Sequence, residues 1–196
     1  MPKRRGMEIF VTDMLSRKLR DKFKKIKLLL LDVDGVLTDG RIIYDNEGRD
    51  AKCFDVHDGL GVSLLSRMGI KTILVTAKGS GCLAHRAKDM RAEAVYRMDR
   101  AGGAGHAAKT EAYAKILKKY RLQDEEVCFV GDDLVDLCVL KRCGLPVATH
   151  NAMSEIKKAA VYVTARAGGR GAVREVAELI LKSKGLWKKA VERYLV

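Results

Sequence analysis

Four consecutive leucines, Leu28–Leu31, run directly into Asp32-Val33-Asp34-Gly35. A segment that is aliphatic at almost every position from Ile26 to Val33 has no face to offer water, so it reads as a strand buried on both sides. Such a strand belongs to a parallel sheet with helices on both faces. Its abrupt end in carboxylates is the second constraint, because charges of this kind are tolerated where the strand meets a loop and not within the core.

The rest of the chain agrees with that frame. Arg41–Phe54 holds short β-prone stretches on either side of Asp45-Asn46-Glu47-Gly48, the pattern of a hairpin. Leu60–Met68, Cys82–Met90, Ala107–Tyr120, Leu134–Arg142 and Ala172–Lys182 show helical spacing. Between them, Lys71–Thr76, Ala94–Tyr96, Val127–Val130, Pro146–Ala148 and Ala160–Val163 read as strands. This alternation predicts βαβ units, hence an α/β fold with a parallel sheet and a small hairpin insertion. Upstream, Phe10, Val11, Met14, Leu15, Leu19, Phe23 and Ile26 fall on one helical face, with Thr12 or Asp13 as the expected cap. The expected division is a basic amphipathic helix within residues 1–27, a core over 28–183 carrying the hairpin at 41–54, and a basic tail helix over 184–196. The Gly- and Ala-rich stretch Arg97–His106 reads as a flexible loop.

Charge narrows the partners. The net charge is +13, yet residues 1–27 carry ten Lys/Arg against three acids and residues 182–196 carry five against one. Residues 28–181 are nearly balanced, with 23 basic and 21 acidic side chains. A nucleic-acid enzyme carries its basic stripe on the working face of the fold; here the excess lies at the ends, as on solvated helix faces. Five cysteines without a CxxC pair argue against a disulfide framework or a zinc site and fit the reduced thiols of a cytoplasm. No apolar run approaches a membrane span and no apolar h-region follows the charged start, so no membrane partner is expected.

Ligands of an open parallel sheet bind beyond the carboxyl ends of its strands. That rule gathers Asp32 and Asp34 after the first strand, Thr76 and Lys78 after Lys71–Thr76, and Asp132 and Asp133 after Val127–Val130. Asp136 follows one turn later, and Lys109 opens the preceding helix. So many carboxylates at one edge repel each other unless a cation intervenes, and Mg²⁺ with carboxylate and water ligands fits best. A divalent cation beside Lys109 and Thr76 makes an anion site, and phosphate is the anion it suits. Asp32 can then act as a carboxylate nucleophile that forms an aspartyl-phosphate. Asp34, two residues on, can protonate the leaving alkoxide and later deprotonate water.

Asp32-Val33-Asp34-Gly35-Val36-Leu37-Thr38-Asp39-Gly40 resembles the DxDGxxT/S motif of the haloacid-dehalogenase superfamily. Thr76 matches its second motif, Lys109 its third, and Gly131-Asp132-Asp133-x-x-Asp136 its fourth. Phe54–Gly61, the GDDLVD stretch and Ala167–Glu175 are further similar to the phosphatases of 3-deoxy-D-manno-octulosonate (KDO) 8-phosphate, over Ile26 to Lys182. The resemblance implies a Rossmann-like core without a large cap. It also implies a homotetramer whose Arg41–Phe54 hairpin closes a neighbouring subunit's site, with the C-terminal tail able to reach one too. It assigns catalysis to Asp32 and Asp34 and phosphate binding to Thr76 and Lys109. Mg²⁺ falls to Asp32, the Asp34 backbone carbonyl and Asp132, with Asp133 and Asp136 behind them. Substrate contacts fall on Asp34, Asp55, Val56, His57, Asp58, Gly59, Lys78, Arg86 and Lys109.

Some positions depart from the family pattern. Arg is usual at His57 and Lys78, a basic residue is common at Ser63, Asn is usual at Asp55 and Gly at Ala77. Arg holds a carboxylate bidentately, whereas Lys is a point charge and His is often neutral, so the sugar end is less cationic than the phosphate end. A nonulosonate 9-phosphate or another small sugar phosphate is the alternative substrate. A mutase is disfavoured, because the short insertion after Asp39 supplies no cap to exclude water. A non-catalytic regulatory subunit is disfavoured because Asp32 and Lys109 are both present. His57 reads as a polar pocket residue, while His85, His106 and His150 share no ligand spacing. Cys128 and Cys138 sit at apolar positions as small hydrophobes. Arg170 either caps a carbonyl or reaches an anion.

Overall fold

The computed structural model describes residues 15–76, 80–97 and 105–195. The expectations resting on Ala77, Lys78, residues 98–104 and the first turn of the N-terminal helix lie outside the described residues.

The leucine run forms strand β1 (Leu28–Leu31), buried at every position. The hairpin strands are β2 (Ile43–Tyr44) and β3 (Asp50–Ala51), paired antiparallel. Then follow β4 (Lys71–Thr76), β5 (Ala94–Arg97), β6 (Val127–Gly131), β7 (Leu145–Ala148) and β8 (Tyr162–Val163). The main sheet is parallel throughout, in the order β5-β4-β1-β6-β7-β8. The chain winds outward from β1 through β4 to β5, then crosses back to β6 and winds the other way. The winding therefore reverses between β1 and β6, which opens a crevice at their carboxyl ends.

Because successive strand residues point to opposite faces, β1 feeds two cores. Leu29 and Leu31 pack with Phe23, Val62, Leu65 and Ile180 on one face. Leu28 and Leu30 pack with Tyr113, Ile116, Phe129 and Leu140 on the other. Truncating any one of these leucines to Ala would cost about 2–5 kcal/mol. The first face is covered by α1 (Arg17–Lys25), α2 (Val56–Arg67), α3 (Gly81–Asp89), α7 (Ala172–Ser183) and α8 (Trp187–Val191). The second is covered by α4 (Gly105–Tyr120), α5 (Leu137–Leu140) and α6 (Ser154–Ala159).

Two expectations need correction, one lies outside the described residues, and one helix was not expected. Helix α1 is described from Arg17, where the Ser16 hydroxyl accepts from Leu19 N–H at 3.3 Å; the cap expected at Thr12 or Asp13 lies outside the described residues. Leu134–Arg142 is not one helix: Leu134–Asp136 is a 3₁₀ turn closed by a reciprocal Asp133–Asp136 capping box, and only Leu137–Leu140 is α-helical. Arg97 and Gly105-His106 belong to β5 and α4 respectively and not to the expected loop, whose remaining residues 98–104 lie outside the described residues. Helix α6 is an addition; six residues are too few to display a period.

Candidate active site

The backbone N–H of Asp32 donates to the Val130 carbonyl at 3.1 Å, which ties the end of β1 to β6. The chain then turns through Gly35, at φ +84, where a Cβ would lie 1.9 Å from Asp132 Oδ2. Only glycine fits a left-handed turn with a carboxylate that close. Thr38 Oγ1 braces the turn by accepting from Gly35 N–H and Gly40 N–H, both at 3.3 Å. Thr149 and Asn151, just beyond β7, both donate to the Gly35 carbonyl, at 3.4 and 3.5 Å. Asn151 Oδ1 also accepts from Gly168 N–H at 2.7 Å, so one side chain joins the Gly35 turn to the loop before α7.

Lys109, in the first turns of α4, is 1% exposed and lies with Nζ 3.0 Å from Asp32 Oδ1. It also donates to Asp136 Oδ1. The 3₁₀ turn after β6 aims Asp136 Oδ2 back at the strand end, where it accepts from Asp132 N–H at 2.9 Å and Asp133 N–H at 3.3 Å. Burial pushes the Asp32 carboxyl up to about 7; the Asp136 carboxylate adds to the shift and Lys109 opposes it. Burial, then the Asp32 and Asp136 carboxylates, push Asp132 up to about 8. Burial acts to lower the Lys109 ammonium, but Asp32 and Asp136 outweigh it and raise it. One lysine does not neutralise this cluster.

The geometry fits a divalent cation. Oxygens of Asp32, Asp132 and Asp136 lie within 4.8 Å of one another. Asp132 Oδ1 is buried without a hydrogen-bond partner among the described residues, whereas Asp136 is engaged by Lys109 and two backbone amides. Asp32 and Asp132 are thus the carboxylates left to coordinate, and all-oxygen coordination suits Mg²⁺.

Asp32, Asp34, Thr76, Lys109, Asp132 and Asp133 line one cleft of about 250 Å³, joined by Gly40, Ile42 and Val135. Of the described residues expected to contact substrate, Asp34 and Lys109 line this cleft, whereas Asp55–Gly59 and Arg86 do not. Asp55 lines a second cleft with Arg41 and Arg170, and its carboxylate accepts from the N–H and approaches the ring of His57. His57 and the N-cap Asp55 therefore form an exposed helix start, with Val56 open to solvent beside them. Asp58 is fully buried: its carboxylate accepts from Gly171 N–H at 3.3 Å and Arg174 N–H at 2.7 Å, capping α7. Its role in this chain is structural, and a substrate contact from it is not what the geometry offers. Arg86 fills the space over Gly59, where a Cβ would lie 2.5 Å from its Nη2, and donates to the Asp55 carbonyl at 2.7 Å. Ser63 is buried and donates to the Met90 carbonyl at 3.3 Å, so it faces no ligand.

A larger cleft, about 390 Å³, lies between His57, Tyr162, Arg166, Arg174 and Glu175. Its acids are already engaged: Glu175 accepts from Tyr162 and two amides, and Glu178 pairs with Arg174 and Lys182. Its size carries no chemistry. Two residues that brace the strand-end cleft from outside its lining escaped the sequence reading: Asn151, bonded to Gly35, and Lys52, paired with Asp34. Asn151 follows β7, where the strand-end rule points. Lys52 left no signal, because a lysine among hairpin charges reads as solvated.

The model of the haloacid dehalogenase-like hydrolase family matches residues 104–176. The chain is 38% identical over 164 residues to the 3-deoxy-D-manno-octulosonate 8-phosphate phosphatase of Escherichia coli strain K12, covering 84% of each. It is 39% identical to the Yersinia pestis enzyme of that name over 156 residues, 80% of each. Among solved structures it is similar to the Moraxella catarrhalis phosphatase of the same name, in complex with magnesium, phosphate and KDO. That likeness has a TM-score of 0.85 at 33% identity and covers 92% of this chain and 99% of the other.

Proposed function

The chain belongs to the haloacid dehalogenase-like hydrolases of the KDO 8-phosphate phosphatase family, and we propose that it hydrolyses that sugar-acid phosphate with Mg²⁺ through an aspartyl-phosphate. The observation that carries this reading is Asp32, buried at the switch point between two strands, 3.0 Å from Lys109 Nζ and beside Asp132.

Asp32, Asp132 and the Asp34 carbonyl would hold the cation, and Asp133 and Asp136 fix the loop that carries Asp132. When bound, Mg²⁺ neutralises the carboxylates and the phosphoryl oxygens drawn against them. Lys109 and Thr76, which line the cleft with Asp32, bind the phosphate, and an Asp32 carboxylate oxygen attacks its phosphorus. As the new bond from Asp32 to phosphorus forms, the bond to the sugar oxygen breaks and Asp34 gives that oxygen a proton. Asp34 then takes a proton from the attacking water, phosphate leaves, and the Asp32 carboxylate is restored.

Phosphate chemistry of this kind is independent of the sugar, so selection depends on Lys78, Arg86 and the exposed Asp55–His57 segment. In one subunit that segment lies outside the Asp32 cleft, which supports assembly as a homotetramer in which neighbouring chains complete the site. Lys78 and His57 in place of Arg each remove a bidentate grip, worth about 1–3 kcal/mol, on a sugar carboxylate. The test is phosphate release from purified protein with Mg²⁺, comparing kcat/KM for KDO 8-phosphate, a nonulosonate 9-phosphate and neutral sugar phosphates. Preference for the KDO ester supports the reading. Preference for the nonulosonate ester moves the substrate, and release from none of them defeats it.

A further inference from the structure

Lys52 is the buried exception in an exposed hairpin. It follows β3 directly, its side chain is 4% exposed, and its Nζ donates to Asp34 Oδ1 at 2.5 Å. Its other carboxylate neighbour, Asp50, is 3.8 Å away on the same strand. An ammonium is withdrawn from water only against a counter-charge, so the Asp34 contact fixes where this side chain goes. For Asp34 the effect is directional. One oxygen is held by Lys52, while no hydrogen bond to Oδ2 is formed among the described residues, and the residue lines the cleft that contains Asp32.

We infer that Lys52 is a positioning residue for Asp34: it fixes the carboxyl so that its free oxygen faces the leaving group of the phosphoester. The hairpin therefore acts on the site of its own subunit, apart from any part it plays in a neighbour's. The inference rests on the acid–base role of Asp34 proposed above. In the first step one bond forms, from Asp32 to phosphorus, and one breaks, from phosphorus to the ester oxygen. The proton that makes that oxygen a hydroxyl comes from Asp34, which must be aimed correctly for an alkoxide but is not needed for a good leaving group. A residue that orients Asp34 thus affects alkyl esters far more than aryl esters.

The experiment compares Lys52→Met and Lys52→Arg with wild type on KDO 8-phosphate and on p-nitrophenyl phosphate, reading kcat/KM, which stops at the first irreversible step. Lys52→Met is expected to lose about 30-fold or more on the sugar ester and less than about threefold on the aryl ester, with Lys52→Arg recovering most of the sugar-ester rate. Both rates come from one preparation, so their ratio does not depend on the fraction folded. Equal losses on both esters, or no loss on either, would overturn the positioning role. A wild-type protein that cleaves neither ester overturns the phosphatase reading itself, a result distinct from an active wild type whose ratio Lys52→Met leaves unchanged.

Discussion

The Asp32 cluster and the 41–54 hairpin border the same cleft and are held there by opposite means. The cluster sits on two fully buried strands, and its groups are tied to one another: Lys109 to Asp32 and Asp136, and Asp136 to the amides of Asp132 and Asp133. The hairpin has two-residue strands and shows Ile42, Ile43 and Tyr44 to solvent at 49, 47 and 60% exposure. An isolated two-stranded hairpin is marginal in water. Lys52 is its polar anchor, and its apolar residues remain free for another surface. A carboxylate cluster that must hold its geometry with sub-ångström accuracy is built on the rigid element, while the hairpin leaves its apolar face open.

The sharpest way to break the contrast is to remove the proposed nucleophile. Asp32→Asn should lower kcat by about four orders of magnitude or more while the melting temperature holds, read by phosphate release and calorimetry. Near-normal turnover would mean that the rigid pole is not where the chemistry lies. Next in size is the Gly35 turn. Gly35→Ala forces a Cβ into Asp132 at a backbone angle of +84°, so Mg²⁺ affinity measured by titration calorimetry should fall by at least about tenfold. An unchanged affinity would show that Asp132 does not hold the ion.

The hairpin predicts the reverse pattern. Ile43→Ser with Tyr44→Ser should change subunit stability by under about 0.5 kcal/mol, because both are exposed, yet reduce the assembled mass seen by light scattering. If the mass is unaltered, the hairpin is not an assembly surface. The last effect, on stability and not on activity or assembly, concerns Asp58, whose carboxyl burial raises to about 6, with the Arg174 and Gly171 amides opposing the shift. Because its folded pKa lies above the unfolded value of about 3.9, ionisation costs stability, and the cost grows as pH rises from about 4 to 6. Asp58→Asn should therefore be more destabilising relative to wild type at pH 4.5 than at pH 7, by about 1–3 kcal/mol in denaturant melts. A pH-independent difference would show that Asp58 does not titrate in that range.

The strand-end acids were legible because the signal is local. An aliphatic run of four leucines ending in DVDG, and VCFVG ending in DD, mark strand termini without knowledge of any partner. Lys71–Thr76 was read to the residue for the same reason. The 134–142 segment was misread because its apolar spacing is helical, while Asp136 is drawn out of that pattern by two backbone amides behind it. Asp58 was read as a pocket residue, because a DxHD stretch at a helix start does not reveal that one carboxylate turns inward to cap a different helix.

The sequence by itself therefore determined the α/β architecture and the gathering of Asp32, Asp34 and Lys109 at one edge of the sheet, since each is marked by its place beside a hydrophobic run. The tertiary structure decided which polar groups serve others and which are left to meet ligand. Lys52 reaches Asp34 across 18 residues, Asp58 reaches Gly171 across 113, and Asn151 reaches Gly35 across 116. Pairings at such distances are set by how sheets and helices pack, and a buried polar group takes whichever partner that packing brings within hydrogen-bonding range.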